Sequence, residues 1–449
     1  PPSRAHSCTA RAGVMDSIRW LVLAALPAAA AAGCIRPDWR SVTPSAAAGA
    51  PVSPIVLGSG VSHSSDEPHL IIGTPANSAN PYLRLFLHGT ASRPAEVSCV
   101  LDAISEQGAF PTIGLSYLWL NRTDAERNEM CFSAHPGSPF EVAKCLFLAH
   151  SNALLGGESE PGVWQYVAAG ESIVGRLVAL LRHLDAGFPG EGWGAFLNGN
   201  GNPEWSRIIV GGHSQGAGHA AFIAQQKQTA AVGLISGPQD ECIGCPTDTR
   251  LWLDGPWASS TVGAFASAKE DAIDVIQSNW ARMAKAGVLA SPIVDVGFAM
   301  STPSASANPC LPRAPMVSWV APLETATSLP RAAHRSTALD SSSPVAATSD
   351  LTGDALPLYS TYIWPSLFRT AEACPSAATL TFRFAFRTVN KTLRWAALLA
   401  PIAAATAAAA YLFVLRKFFP SIFDAKNSHK YPILSSVAVM LFGSIAALM

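Results

Sequence analysis

"RIIVGGHSQGAGHAAFIAQQ", Arg207–Gln226, opens on a short apolar run, Ile208–Val210, and closes on small, helix-favouring residues. Between the halves three glycines crowd one serine, Ser214. The pattern predicts a strand over Arg207–Gly211 and a helix over Gly216–Gln226. Gly212-His-Ser214-Gln-Gly216 then forms a sharp strand-to-helix turn. Side chains two residues to either side of the serine would collide across such a bend, so both positions call for glycine. The turn lifts the hydroxyl to the carboxyl edge of a sheet. The following helix aims the positive end of its dipole at the same point, where negative charge developing in a reaction is favoured.

Read outward from this turn, the chain alternates strands and helices. Strand-like segments are Leu83–Gly89, Phe110–Trp119, Ala231–Ser236, Thr261–Ala266 and Met316–Ala321. Apolar residues at helical spacing, Ile173, Val174, Leu177, Val178, Leu181 and Leu184, predict a helix that stops at Gly-Phe-Pro-Gly. A further helix is expected over Asp271–Ala286. Short, almost wholly apolar strands alternating with helices predict an α/β fold, a mostly parallel sheet with helices on both faces. The domain should occupy residues 69–370. Within it, a polar insertion from Leu120 to about Pro161 is placed to form a lid.

The stretches "WSRIIVGGHSQGAGHAAF", "SGPQD" and "AHRSTALD" resemble the α/β-hydrolase superfamily, over roughly Leu70–Phe368. They look closest to a poorly characterised extracytoplasmic group. The resemblance implies the α/β-hydrolase fold and a Ser-acid-His mechanism with Ser214 as nucleophile. It also implies an oxyanion site made by the backbone N–H of Gln215 and by the loop at His88-Gly89-Thr90, with Gly89 and Thr90 as candidate donors. The acid should follow a strand after the serine. Asp271 and Glu270 in "TVGAFASAKED" are ranked together, above Asp240 in "LISGPQD"; Ser267 and Ala268 stand where a histidine and a carboxylate would be expected. The chain order nucleophile, acid, histidine leaves three histidines after Ser214. His219 precedes any candidate acid, and His429 lies between two apolar runs. His334 is therefore the expected base. His213 is expected to pack beneath the nucleophile.

The implied reaction is cleavage of an ester, less readily an amide, through an acyl-enzyme. The expected partners are a small-molecule or lipid ester and a membrane. A non-catalytic binding module and an acyltransferase are the alternatives. No cofactor is expected. A formal net charge of −1 gives no reason to expect nucleic acid. "CIGC", Cys242–Cys245, has no second CxxC or suitable histidine beside it, so neither a metal nor a redox site is expected there.

The ends carry most of the excess hydrophobicity of a chain that is 49% hydrophobic and 14% charged. Residues 15–33, starting at Met15, read as a signal peptide behind an upstream leader, 1–14. Residues 34–68, rich in Pro, Ser, Ala and Gly and without a period, read as a linker. Residues 371–393 read as a stalk and 394–449 as a membrane anchor, with C-terminal transmembrane helices over 395–415 and 433–449 and a basic loop between them. The hydrolase domain is then expected in the lumen of the secretory pathway or at the cell surface. Of nine cysteines, Cys131 and Cys145 are expected to pair. Asn121 and Asn390 head glycosylation sequons.

Overall fold

The computed structural model describes residues 34–370, apart from 57–61, 78–80, 107, 120–121, 158–163, 165, 260, 297–314, 323–330, 345–356 and 361–362. The expected signal peptide, stalk, transmembrane helices and the asparagines of both sequons lie outside the described residues. No helix among the described residues is long and apolar enough to cross a membrane.

The centre of the fold is a nine-stranded sheet. Its strands are β1 (Arg40–Val42), β4 (His69–Ile72), β5 (Leu83–Leu87), β6 (Thr112–Leu115), β7 (Ile208–His213), β8 (Ala231–Ile235), β9 (Val262–Ser267), β10 (Val294–Asp295) and β11 (Pro315–Ser318). They lie in the order β1-β4-β6-β5-β7-β8-β9-β11-β10. The run from β6 to β10 is parallel; β4 is antiparallel to both β6 and β1. β2 (Ile55–Val56) and β3 (Ser62–His63) form a separate antiparallel pair.

The expected α/β architecture is therefore present, with strand ends moved by a residue or two. Alternation sends the two side-chain sets of each strand to opposite faces. Leu83, Leu85 and Leu87 of β5 face one core with Ile208 and Val210 of β7; Phe86 and Ile209 face the other. The first core is covered by α4 (Pro139–Leu155), α5 (Ile173–Gly187), α6 (Gln215–Gln226) and α7 (Ile273–Lys285). The second is covered by α2 (Ser98–Ser105) and α9 (Ile363–Leu367). Paired Gly211 and Gly233 make room there for Phe368, since Cβ atoms on them would stand 2.3 Å and 2.8 Å from its ring.

The linker reading of 34–68 is corrected. β1 pairs with β4, α1 (Pro44–Ala48) is capped by Thr43, and Arg40 forms an ion pair with Glu191. Cys34 joins Cys99 at an S–S distance of 2.13 Å. A tie across 65 residues contributes about 4 kcal/mol in the loop-entropy picture. Elements of three and five residues are too short to show a period, and composition alone then imitates a linker. Cys131 stands at bonding distance from Cys145, as expected, and Cys242 from Cys245. The polar insertion forms two helices, α3 (Asp124–Ala134) and α4, which the Cys131–Cys145 pair holds together.

Strand order reverses at β5. The chain goes from β5 to β6 on one side, then returns to β7 on the other. In open parallel sheets such a switch point opens a crevice at the carboxyl ends of the strands. The loop after β5 and the turn after β7 are the two lips of that crevice.

Candidate active site

Ser214 stands between β7 and α6 with φ 55° and ψ −122°, a left-handed conformation strained for any side chain. The turn is held by Ser214 N–H donating to Ile235 O at 2.9 Å, and by Ala217 and Gly218 N–H donating to Ser214 O at 2.9 Å and 3.1 Å. Its glycines are required by contact. A Cβ on Gly212 would lie 2.5 Å from the Gly216 carbonyl carbon, and one on Gly216 would lie 2.1 Å from Leu87 O. A Cβ on Gly89 would lie 3.2 Å from Ser214 Cβ. The loop carrying Gly89 and Thr90 is thus laid against the serine. Gln215 opens α6, and its Nε2 donates to Arg122 O at 3.0 Å.

The three candidate acids separate by burial and by partner. Glu270 is buried, and its Oε2 lies 2.6 Å from His334 Nδ1. Its Oε1 accepts from Ser236 Oγ at 2.5 Å and from Ser267 N–H at 2.8 Å. Asp271 is exposed. Its equal ranking with Glu270 is corrected: β9 ends at Ser267, and the turn that follows tucks residue 270 inward and leaves 271 outside. Asp240 is buried in a different cluster, bound by Arg127 Nη2 at 3.0 Å and by His150 Nε2 at 3.0 Å. Burial drives its carboxyl up, but His150 and Arg127 outweigh that and hold it below the usual carboxylate range.

His334 lies on a short helix, α8 (Ala332–Arg335), and is buried. Its main chain is gripped twice: His213 Nε2 lies 3.1 Å from His334 O, and Thr337 Oγ1 donates to the same oxygen at 2.8 Å. The two histidine rings meet at a tilt of 36°, their centres 4.8 Å apart. Ser236 Oγ lies 2.7 Å from Thr337 Oγ1, so one serine touches both the carboxylate and the loop carrying the histidine. Burial, then the nearby Arg331 charge, lowers His334 to about 3; burial raises Glu270 to about 7. The imidazole is therefore neutral at neutral pH.

The roles of His213, Ser236 and Thr337 were not evident from sequence. His213 was expected only to pack beneath the serine; it also fastens a loop 121 residues away. One signal was available, for Ser236 ends the strand beside the serine's own. The roof is α3, held by Arg127 between Asp124 at 2.8 Å and Asp240, with Asn128 Nδ2 donating to Gln239 O at 2.8 Å. No group of residues able to hold a metal ion occurs among the described residues.

No family model matches the chain, and no curated protein matches it. Among solved structures it is similar to that of the esterase LipW from Mycobacterium marinum, at 12% identity over 55% of this chain and 72% of that one, with a TM-score of 0.24. So slight a likeness carries no argument about chemistry.

The glycine contacts make a two-sided prediction. Gly216→Ala drives a methyl into Leu87 O and should cost about 3 kcal/mol or more, or prevent folding. Gly187→Ala, at the end of α5, meets nothing within 4 Å and should leave stability level or raise it by about 0.5 kcal/mol. Denaturant unfolding of the two variants checks this; equal stability would contradict the turn geometry.

Proposed function

We propose that this chain is a serine hydrolase of the α/β-hydrolase type, cleaving an ester bond through an acyl-enzyme. One observation carries the reading: a serine on a strained turn at the switch point of a parallel sheet, with a buried carboxylate–histidine pair at neighbouring strand ends. Ser214 Oγ attacks the ester carbonyl carbon as His334 Nε2 takes its proton. Glu270 holds Nδ1–H and so fixes the tautomer in which Nε2 accepts. The developing oxyanion is met by the N–H of Gln215 and by the loop of Gly89 and Thr90. The carbon–oxygen bond breaks and the alcohol leaves with the proton from His334. Water then repeats the attack on the acyl-serine and releases the acid.

The binding-module alternative rested on an apparently altered acid region. Glu270, buried against His334, is the acid that this reading assigns, and it weighs against that alternative. A location in the secretory pathway or at the cell surface, with the domain anchored by residues 394–449, is part of the same proposal. Cysteine pairing of this density suits an oxidising compartment. The anchor is checked by fractionation. Without residues 394–449 the domain should enter the soluble fraction; equal solubility of the full chain without detergent would defeat the anchor.

The pH dependence follows from the dyad. One extra proton leaves Nε2 protonated whichever group receives it: a neutral Glu270 donates to Nδ1, and an imidazolium carries both. With Glu270 raised to about 7 and His334 lowered to about 3, the dyad takes that proton near neutrality. kcat/KM for an ester should therefore fall as pH drops through about 7. Glu270→Gln cannot take up the proton. It should lose roughly a thousandfold in rate and shift its acid limb well below that of the parent. His334→Ala should cost as much. Glu270→Gln within tenfold of wild type, or with an unmoved acid limb, would contradict the assignment.

A further inference from the structure

Three arginines are buried among the described residues: Arg84, Arg127 and Arg176. Two have carboxylates in contact. Arg84 pairs with Glu106 at 3.2 Å, and Arg127 with Asp124 and Asp240. Arg176 pairs with none among the described residues. Its Nη1 donates to Ser65 O at 2.8 Å and to Ser116 O at 3.3 Å, and its Nη2 to Ser65 Oγ at 3.2 Å. Its Nε–H has no hydrogen-bond partner among the described residues. No carboxylate touches this cation among the described residues, so the longer-range charges of Glu171 and Asp66 offset its desolvation only in part.

His69 repeats the pattern beside it. Its Nδ1 accepts from Ser116 N–H at 3.0 Å, so the proton of the neutral ring is on Nε2. Burial, then the Arg176 and His88 charges, lowers this histidine to about 3, which keeps the ring neutral. Its Nε2–H is buried and has no partner among the described residues. Both residues line one cavity of about 160 Å³. The remaining wall is largely apolar, formed by Pro44, Ala48, Pro51, Val52 and Ala179, with Glu171 also on the lining. Most of that wall comes from the N-terminal segment around α1.

We propose that this cavity is a binding site for a short-chain monocarboxylate, its two oxygens taking the Arg176 Nε–H and the His69 Nε2–H. A single negative charge suits a cation that has no carboxylate in contact among the described residues. The apolar wall suits an alkyl tail, and the half-buried Glu171 carboxylate disfavours a dianion such as phosphate. Ser214, Glu270 and His334 do not line this cavity, and binding there does not depend on the proposed hydrolysis.

Butyrate and inorganic phosphate, titrated separately into the full chain, test it by calorimetry and thermal unfolding. Butyrate should bind saturably and raise Tm by about 2 °C; phosphate should do neither. Arg176→Gln should abolish butyrate binding but also loosens Ser65 and Ser116. Ala179→Leu, which fills the cavity from a half-buried helix position, therefore serves as the second variant. It should fold as wild type and lose butyrate binding. No saturable butyrate binding to wild type, tighter binding of phosphate, or butyrate binding unchanged in Ala179→Leu, as occupancy of the serine site would give, overturns the proposal.

Discussion

The approach of α6 to the end of β5 sets the rest of the site. Gly216 lies so close to Leu87 O that a single methyl would occupy the same space. That contact seats the helix directly over the strand end. The chain must then reverse within a few residues, and Ser214 takes the strain as a left-handed φ. Strain at one residue of about 1–3 kcal/mol persists only where the surroundings over-determine it. Here they do: the serine's N–H is tied to β8, its carbonyl to α6, and the loop of Gly89 closes the remaining side.

Around this point the protein buries polar groups in quantity and ties many of them to one another. Six of its 11 histidines are buried among the described residues. Desolvation lowers His69, His88, His213, His219 and His334, so each is neutral near pH 7. A neutral imidazole both donates and accepts, and can link two elements without an unpaired buried charge. His213 uses this to fasten the loop of His334. His150 joins His219 to Asp240. Glu270 and His334 therefore share supports: Ser236 touches Glu270 and Thr337, and Thr337 holds the carbonyl of His334.

Much of this was legible in the sequence. The α/β alternation, Ser214, His334 and the loop of Gly89 were each marked by local features: periodicity, paired glycines, chain order. Glu270 could not be told from Asp271, because adjacent residues differ only in which way a turn faces them. Asp240 stood at a strand end as plausible as any; what removes it is Arg127, 113 residues away, and His150. The segment at 34–68 looked like a linker because its ties, to Cys99, Glu191 and β4, are all to distant residues. Long-range pairing of this kind has no local pattern from which to be read.

The central claim is that Ser214 is a nucleophile activated by the Glu270–His334 pair. It is tested most directly by treating the folded chain with a fluorophosphonate and locating the adduct by peptide mass spectrometry. The modified peptide should contain Ser214, and neither Ser214→Ala nor His334→Ala should be labelled at that peptide. An unlabelled wild-type chain, or an adduct on another residue that survives in Ser214→Ala, would contradict the account.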